Sequence, residues 1–184
     1  MKKPALQFII LFISKQTVNN MALLHKFFLV EREWYLQSKS SEDSLQLHLE
    51  LEKCENLPNR GIKDAVEIHD DLIRYMYDTL KWVPTYNTAN RKFDFFINLY
   101  GITLIDKRNA VWIKNIFNAW ASLFSYAPEH FELTGGYYTI EGKEEGGYEI
   151  IKVDRNEIVI TLKKIASFAE RTMESNMLIL HNGI

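Results

Sequence analysis

Cysteine is nearly absent from this chain: of 184 residues only Cys54 carries a thiol. No internal disulfide and no thiolate zinc site can therefore hold the fold. Glu50, Glu52, Lys53 and Glu55 surround that thiol in sequence. This mostly acidic setting is the opposite of the one that activates a cysteine, so an idle or buried thiol is expected. Proline and glycine are also scarce, at 4 and 8 residues, which excludes collagen-like and low-complexity chains. Neither charge sign dominates. A net charge of −2 lacks the basic excess of a sequence-independent binder of duplex DNA, and no duplex DNA is expected as a partner.

Long apolar runs are missing too. After Met1-Lys2-Lys3, the run from Leu6 to Ile13 covers less than half of the roughly 20 apolar residues that a membrane helix needs. The following stretch, Ser14 to Met21, has no small-x-small cleavage pattern. Residues 1–20 are expected to be a buried or peripheral strand or helix first. A non-native extension ahead of an internal start at Met21 comes second, and a signal segment third. No membrane partner is expected, and the expected compartment is the cytoplasm.

What is present is core material. Hydrophobic residues make up 47% and aromatics 13% of the chain, enough to fold one domain, 1–184, without metal or disulfide. Lys26 to Leu36 is rich in aromatic and branched residues and reads as a strand. Ser44 to Glu52 alternates Leu with polar residues and reads as a second strand, paired with the first as an N-terminal hairpin around a serine-rich turn. Ile62, Ala65, Val66, His69, Leu72, Ile73, Met76 and Leu80 recur at helical spacing, which predicts an amphipathic helix with Asp70 and Asp71 turned outward. A short helix ending near Gly101, a strand over Ile102 to Ile105 and a helix from Asp106 to about Phe124 follow.

The last third is the most legible. Phe131 to Leu133, Tyr137 to Ile140 and Tyr148 to Val153 read as a meander turning at Thr134-Gly135-Gly136 and at Glu141 to Gly147. Asp154 and Glu157 form a capping box ahead of a helix, and Met177 to Leu180 reads as a closing strand. The expected fold is α+β: a mixed or antiparallel sheet, from the hairpin and the meander, packed on three or four helices.

Chemical motifs are few. No glycine-rich phosphate loop and no nucleophile elbow occurs. None of the five histidines, His25, His48, His69, His130 and His181, is spaced from another as a metal ligand pair. His69-Asp70-Asp71 resembles the His-Asp dyad of divalent-metal phosphohydrolases. Adjacent helix residues diverge, however, and His69 reads as a core-edge histidine hydrogen-bonded to backbone. Trp112 and Trp120, eight residues apart on one helix, read as core, with a partner-facing patch as the other reading. The loop carrying Glu141, Glu144 and Glu145 against one Lys143, framed by Tyr137 and Tyr148, suits docking to a basic protein surface.

Two functions from different classes follow. The first is a small non-catalytic protein-binding protein, an immunity or antitoxin type of neutraliser that acts by occlusion. Its partner-binding residues are Tyr137, Glu141, Glu144 and Glu145, its partner is a basic protein, and it uses no cofactor. The alternative is a metal-dependent phosphohydrolase or nuclease centred on His69 and Asp70. A homodimer through an unpaired strand edge stays open.

Overall fold

The computed structural model describes residues 23–39, 61–87, 92–139 and 146–184. Eight strands and five helices lie in that part of the chain, in an α+β arrangement in which every strand pair is antiparallel. β1 (Leu24–Glu31) leads into α1 (Arg32–Lys39), and β2 (Ile62–His69) into α2 (Asp70–Tyr75) and α3 (Tyr77–Leu80). β3 (Pro84–Asn87), β4 (Lys92–Phe95) and β5 (Ile102–Ile105) precede α4 (Ala110–Phe124). β6 (His130–Thr139) and β7 (Gly146–Asp154) form a ribbon, and α5 (Arg155–Glu174) and β8 (Met177–Asn182) close the chain. The main sheet has the order β2-β1-β8-β5-β3-β4, while β6 and β7 form a sheet of their own.

Alternation along the strands sorts side chains onto the two faces of the main sheet. Phe27 and Leu29 of β1, Val66 and Ile68 of β2, Ile105 of β5 and Ile179 of β8 share a core with α4 and α5. Phe28, Val30, Ile62, Ile102, Leu178 and Leu180 lie on the opposite face, where Tyr35 and Trp34 of α1 pack on them. Between Leu29 and Val30 the register with β2 slips by one residue. Without that bulge Ile62 and Val66 could not both point inward on their respective faces. Gly61 stands just before β2 at a φ of 84°, and a Cβ there would lie 2.3 Å from the Trp34 Cβ. Only glycine fits that entry beneath α1.

Several elements depart from the sequence reading. The helix expected from Ile62 onward is a strand over its first two turns. Isoleucine and valine at 62, 66 and 68 favour a pleated surface, and pairing with β1 over almost the whole strand outweighs the helical spacing. The helical part starts at Asp70 and breaks at Met76, keeping Leu72, Ile73, Met76 and Leu80 buried. Residues around Phe93 are strand β4, not a helix. Thr134-Gly135-Gly136 is no turn. β6 runs straight through it with a bulge, two glycines facing Glu149. A Cβ at Gly135 would come within 3.0 Å of the Glu149 Cβ, so the missing side chain makes room for the extra residue. The meander is thus a single hairpin, and β8 joins the middle of the main sheet instead of extending it. Residues 44–52, the second strand of the expected N-terminal hairpin, lie outside the described residues, as do Cys54, His48 and residues 1–20; β1 pairs instead with β2 and β8.

Other expectations match. Asp154 caps α5 by accepting the Glu157 N–H at 2.9 Å, and Ile158, Leu162, Ile165, Ala166 and Ala169 are buried on its inner face. The inner stripe of α4 is Ala110, Ile113, Ile116, Phe117 and Phe124. Asp106 does not cap that helix. It turns the chain one step earlier, accepting the Arg108 N–H at 2.9 Å while its carbonyl takes the Ala110 N–H. Among the described residues no helix is long and apolar enough to cross a membrane.

Candidate functional site

The β6–β7 ribbon has one face on the core and one in solvent. Phe131, Leu133, Ile151 and Val153 turn inward onto the core with α4 and α5. On the outward face stand Glu132, Thr134, Tyr137, Tyr148, Ile150 and Lys152, all exposed. A solvated strand face is normally polar. Here Tyr137 is 58%, Tyr148 60% and Ile150 54% exposed. Tyr137 and Tyr148 are direct cross-strand partners, with ring centroids 5.1 Å apart in edge-to-face contact. Ile150 follows Tyr148 on the same side of β7, so the three side chains form one stripe. Tyr138 stands exposed on the reverse face. Both edges of the two-stranded ribbon are unpaired among the described residues. The structure thus places Tyr137 on the solvent face of the ribbon, two pairs from its Thr139–Gly146 end; Glu141, Glu144 and Glu145 lie outside the described residues.

A second cluster, absent from the sequence reading, is built from buried polar groups. His25 of β1 and His181 of β8 stand side by side on the core face of the main sheet, both fully buried. His25 Nδ1 lies 2.8 Å from His181 Nε2, and His25 Nε2 lies 2.8 Å from Asp70 Oδ1. The second Asp70 oxygen accepts from Arg74 Nε, one turn along α2. Arg74 is half-exposed, so the chain of bonds runs from solvent into the core. Its polarity is fixed by the carboxylate. Asp70, ionised and paired with Arg74, accepts; His25 must donate from Nε2 and accept at Nδ1, so His181 donates from Nε2. This leaves His181 Nδ1 as a bare acceptor, and no described atom lies within hydrogen-bond reach of it. The Phe27 ring packs against the imidazole at 4.7 Å.

Burial therefore decides the charge of the pair. It lowers the pKa of His25, against the pull of its bond to Asp70, and drives that of His181 well below the ordinary value, with His25 adding to the effect. Both imidazoles are neutral near pH 7. Arg74 is held more firmly in its charged form by Asp70 and by a hydrogen bond that it donates to Tyr100.

This cluster corrects the expectation for Asp70, which points inward and is buried instead of facing solvent. The reason is its place at the corner just past the Leu24–His69 pair that ends the β1–β2 ladder, where its N–H bonds the Leu23 carbonyl and its carboxylate reaches His25. His69 is the extended N-cap of α2, at φ −65° and ψ 142°, and its Nδ1 accepts the Asp71 N–H at 3.2 Å. That is the core-edge, backbone-bonded histidine expected from sequence. His130 is exposed, 3.4 Å from Asp154. Among the described residues no group of three or more His, Cys, Asp or Glu side chains converges as a metal site.

Trp120 is partly buried, its Nε1–H donating to Thr79 Oγ1 at 2.9 Å, whereas Trp112 is exposed. The two do not share a role. With Thr79, Trp82, Ile116, Ala119 and Leu123, Trp120 lines a shallow apolar groove between α3 and α4.

His25 and His181 are 156 residues apart in sequence, and no spacing rule links them. The available signal was alternation: His25 sits two residues before Phe27 and His181 two after Ile179, both therefore on a core face. Comparison with protein-family models, with curated proteins and with solved structures finds no match to this chain.

Proposed function

We propose that this chain is a small non-catalytic protein-binding protein, of the immunity or antitoxin type, whose β6–β7 ribbon engages a basic partner and occludes the partner's active site. One observation carries the reading. Tyr137, Tyr148 and Ile150 form an apolar stripe on the solvent face of a ribbon where polar residues would be the rule. Tyrosines are favoured binding anchors, combining a large contact area with a polar tip. The unpaired ribbon edges add main-chain donors and acceptors for an extended segment of the partner.

The sequence between the two strands sets the sign of the partner. Glu141, Glu144 and Glu145 outnumber Lys143 there, and an acidic connection in sequence between strands that carry aromatic anchors suits a basic surface, because opposite fields speed the encounter. The partner is accordingly a basic protein, such as a nuclease or toxin, and no cofactor takes part. The test is a tagged pull-down from the native host at low and at high salt, with stoichiometry read by mass spectrometry. A single basic protein near one-to-one, lost as salt rises, is the expected result. An empty bait at low salt contradicts the reading.

The alternative is a metal-dependent phosphohydrolase or nuclease centred on His69 and Asp70. His69 is partly exposed with Asp71 at 3.2 Å, which leaves one approach from solvent. A metal ion there would compete with Arg74 and His25 for the Asp70 carboxylate. Stoichiometric Mn, Fe, Zn or Ni in protein purified without chelator would favour this alternative.

A further inference from the structure

Four side chains from three elements form the buried chain Arg74–Asp70–His25–His181. Asp70 and Arg74 belong to α2, His25 to β1 and His181 to β8. α2 is only six residues long. The Asp70 N–H, which donates to the Leu23 carbonyl at 2.9 Å, and the Asp70 carboxylate tie it to β1, and the Asp71 N–H ties it to His69 at the end of β2. We propose that this chain is an acid-sensitive latch: with both imidazoles neutral it pins the α2 corner to strands β1 and β8, and uptake of a proton by the pair frees that corner.

The geometry leaves an added proton no good place. At His181 Nδ1 it creates a cation in the core with no described acceptor in reach. On His25 it makes a cation that Asp70 attracts, but Arg74 and His69 repel it. His181 must then accept from His25 and carry its own hydrogen on Nδ1, a buried donor with nothing to bond. On Asp70 it removes the acceptor that both Arg74 and His25 use. Two cations 2.8 Å apart are excluded, so the pair takes one proton at most while folded. Among the described residues the surroundings supply no further counter-charge. α2 gives Asp70 and Arg74, the end of β2 gives His69, itself engaged with Asp71, and the segment before β5 gives Tyr100, bonded to Arg74. β5 places the neutral Thr103 opposite His181, and α4 contributes Phe117 against Phe27.

The sign follows from linkage. Each imidazole has a native pKa below its unfolded value of 6.5, so below pH 6.5 the unfolded chain binds more protons than the native one. Stability is complete above that pH and is lost as pH falls below it. With both histidines neutral while the corner is closed and charged once it is released, the constant for opening the corner rises by up to about 100-fold per pH unit.

The experiment is amide hydrogen exchange on the wild-type protein at pH 7.5, 6.5 and 5.5, corrected for intrinsic rates. Leu72 and Ile73 of α2 and His181 of β8 should lose at least tenfold in protection by pH 5.5, while Leu162 and Ile165 of α5 keep theirs. Equal loss at all five positions, or none at α2, overturns the latch. A His25→Phe/His181→Leu variant should flatten the pH response, and His130→Gln, at an exposed histidine, should leave it unchanged. If the double variant does not fold, nitrogen-15 spectra of the wild-type imidazoles decide. Two histidines that stay neutral to pH 5.5 with their hydrogen on Nε2 support the latch, and ordinary titration of all the histidines overturns it.

Discussion

Replacing Asp70 with alanine removes the only anion in the buried polar chain, and the structure sets the size of the effect. The His25 Nε2–H loses a charge-assisted bond inside the core and is left without an acceptor, which costs roughly 1.5–3 kcal/mol. The Arg74 contribution is smaller. With its side chain 48% exposed, the guanidinium returns to water, and the pair is worth at most about 1 kcal/mol. Together Asp70→Ala should lose about 3 kcal/mol. Asp70→Asn keeps a carbonyl for His25 but turns Arg74 away, so about 1 kcal/mol is expected. Arg74→Ala should cost no more than that. Urea unfolding followed by circular dichroism measures all three; with a slope near 2 kcal/mol/M the alanine variant's midpoint falls by roughly 1.5 M. An Asp70→Ala protein within about 1 kcal/mol of wild type refutes the buried chain as a structural tie. An Arg74→Ala loss equal to that of Asp70→Ala refutes the division between its buried and exposed ends.

Gly61→Ala should destabilise by at least about 2 kcal/mol, because it combines a positive φ with a Cβ in the Trp34 side chain; a thermal melt should show a drop of roughly 4–8 °C. Asp154→Ala removes the cap of α5 and should cost about 1 kcal/mol, with Asp154→Asn recovering most of it. Burial raises the Tyr35 phenol to about 12. An unfolded tyrosine ionises near 10, so this group's share of stability is intact below pH 10 and lost between about pH 10 and 12. Ultraviolet titration should find one tyrosine that ionises last, and Tyr35→Phe should remove that step.

Much of the α+β plan could be read from local signals because those signals were also what the tertiary structure used. Asp154 and Glu157 announced a helix start that nothing else competed for, and the stripe from Ala110 to Phe124 had a core waiting on one side. Where the reading failed, a long-range partner overruled a local period. Ile62, Val66 and His69 fit a helix on paper, but β1 offered them a ladder, and β-branched residues took it. Gly135-Gly136 had turn composition, yet the pairing of β6 with β7 continued past it and absorbed the extra residue as a bulge. The ribbon's tyrosines were visible as an aromatic frame around an acidic loop; which of them shared a face depended on the bulge and could not be read. The His25–His181 pair needed the order of the sheet, since β8 reaches β1 only after the whole chain has been traversed.

The ribbon is the centre of the functional account, and one comparison tests it most directly. Wild-type protein, Tyr137→Ala/Tyr148→Ala and Tyr126→Ala, an exposed tyrosine beyond α4, are used side by side as baits at low salt. Their folding is checked beforehand by circular dichroism. The account predicts that the partner held near one-to-one by the wild type is retained by Tyr126→Ala and reduced at least tenfold by the ribbon double variant. Equal recovery on all three baits would contradict it and move the binding surface away from the ribbon.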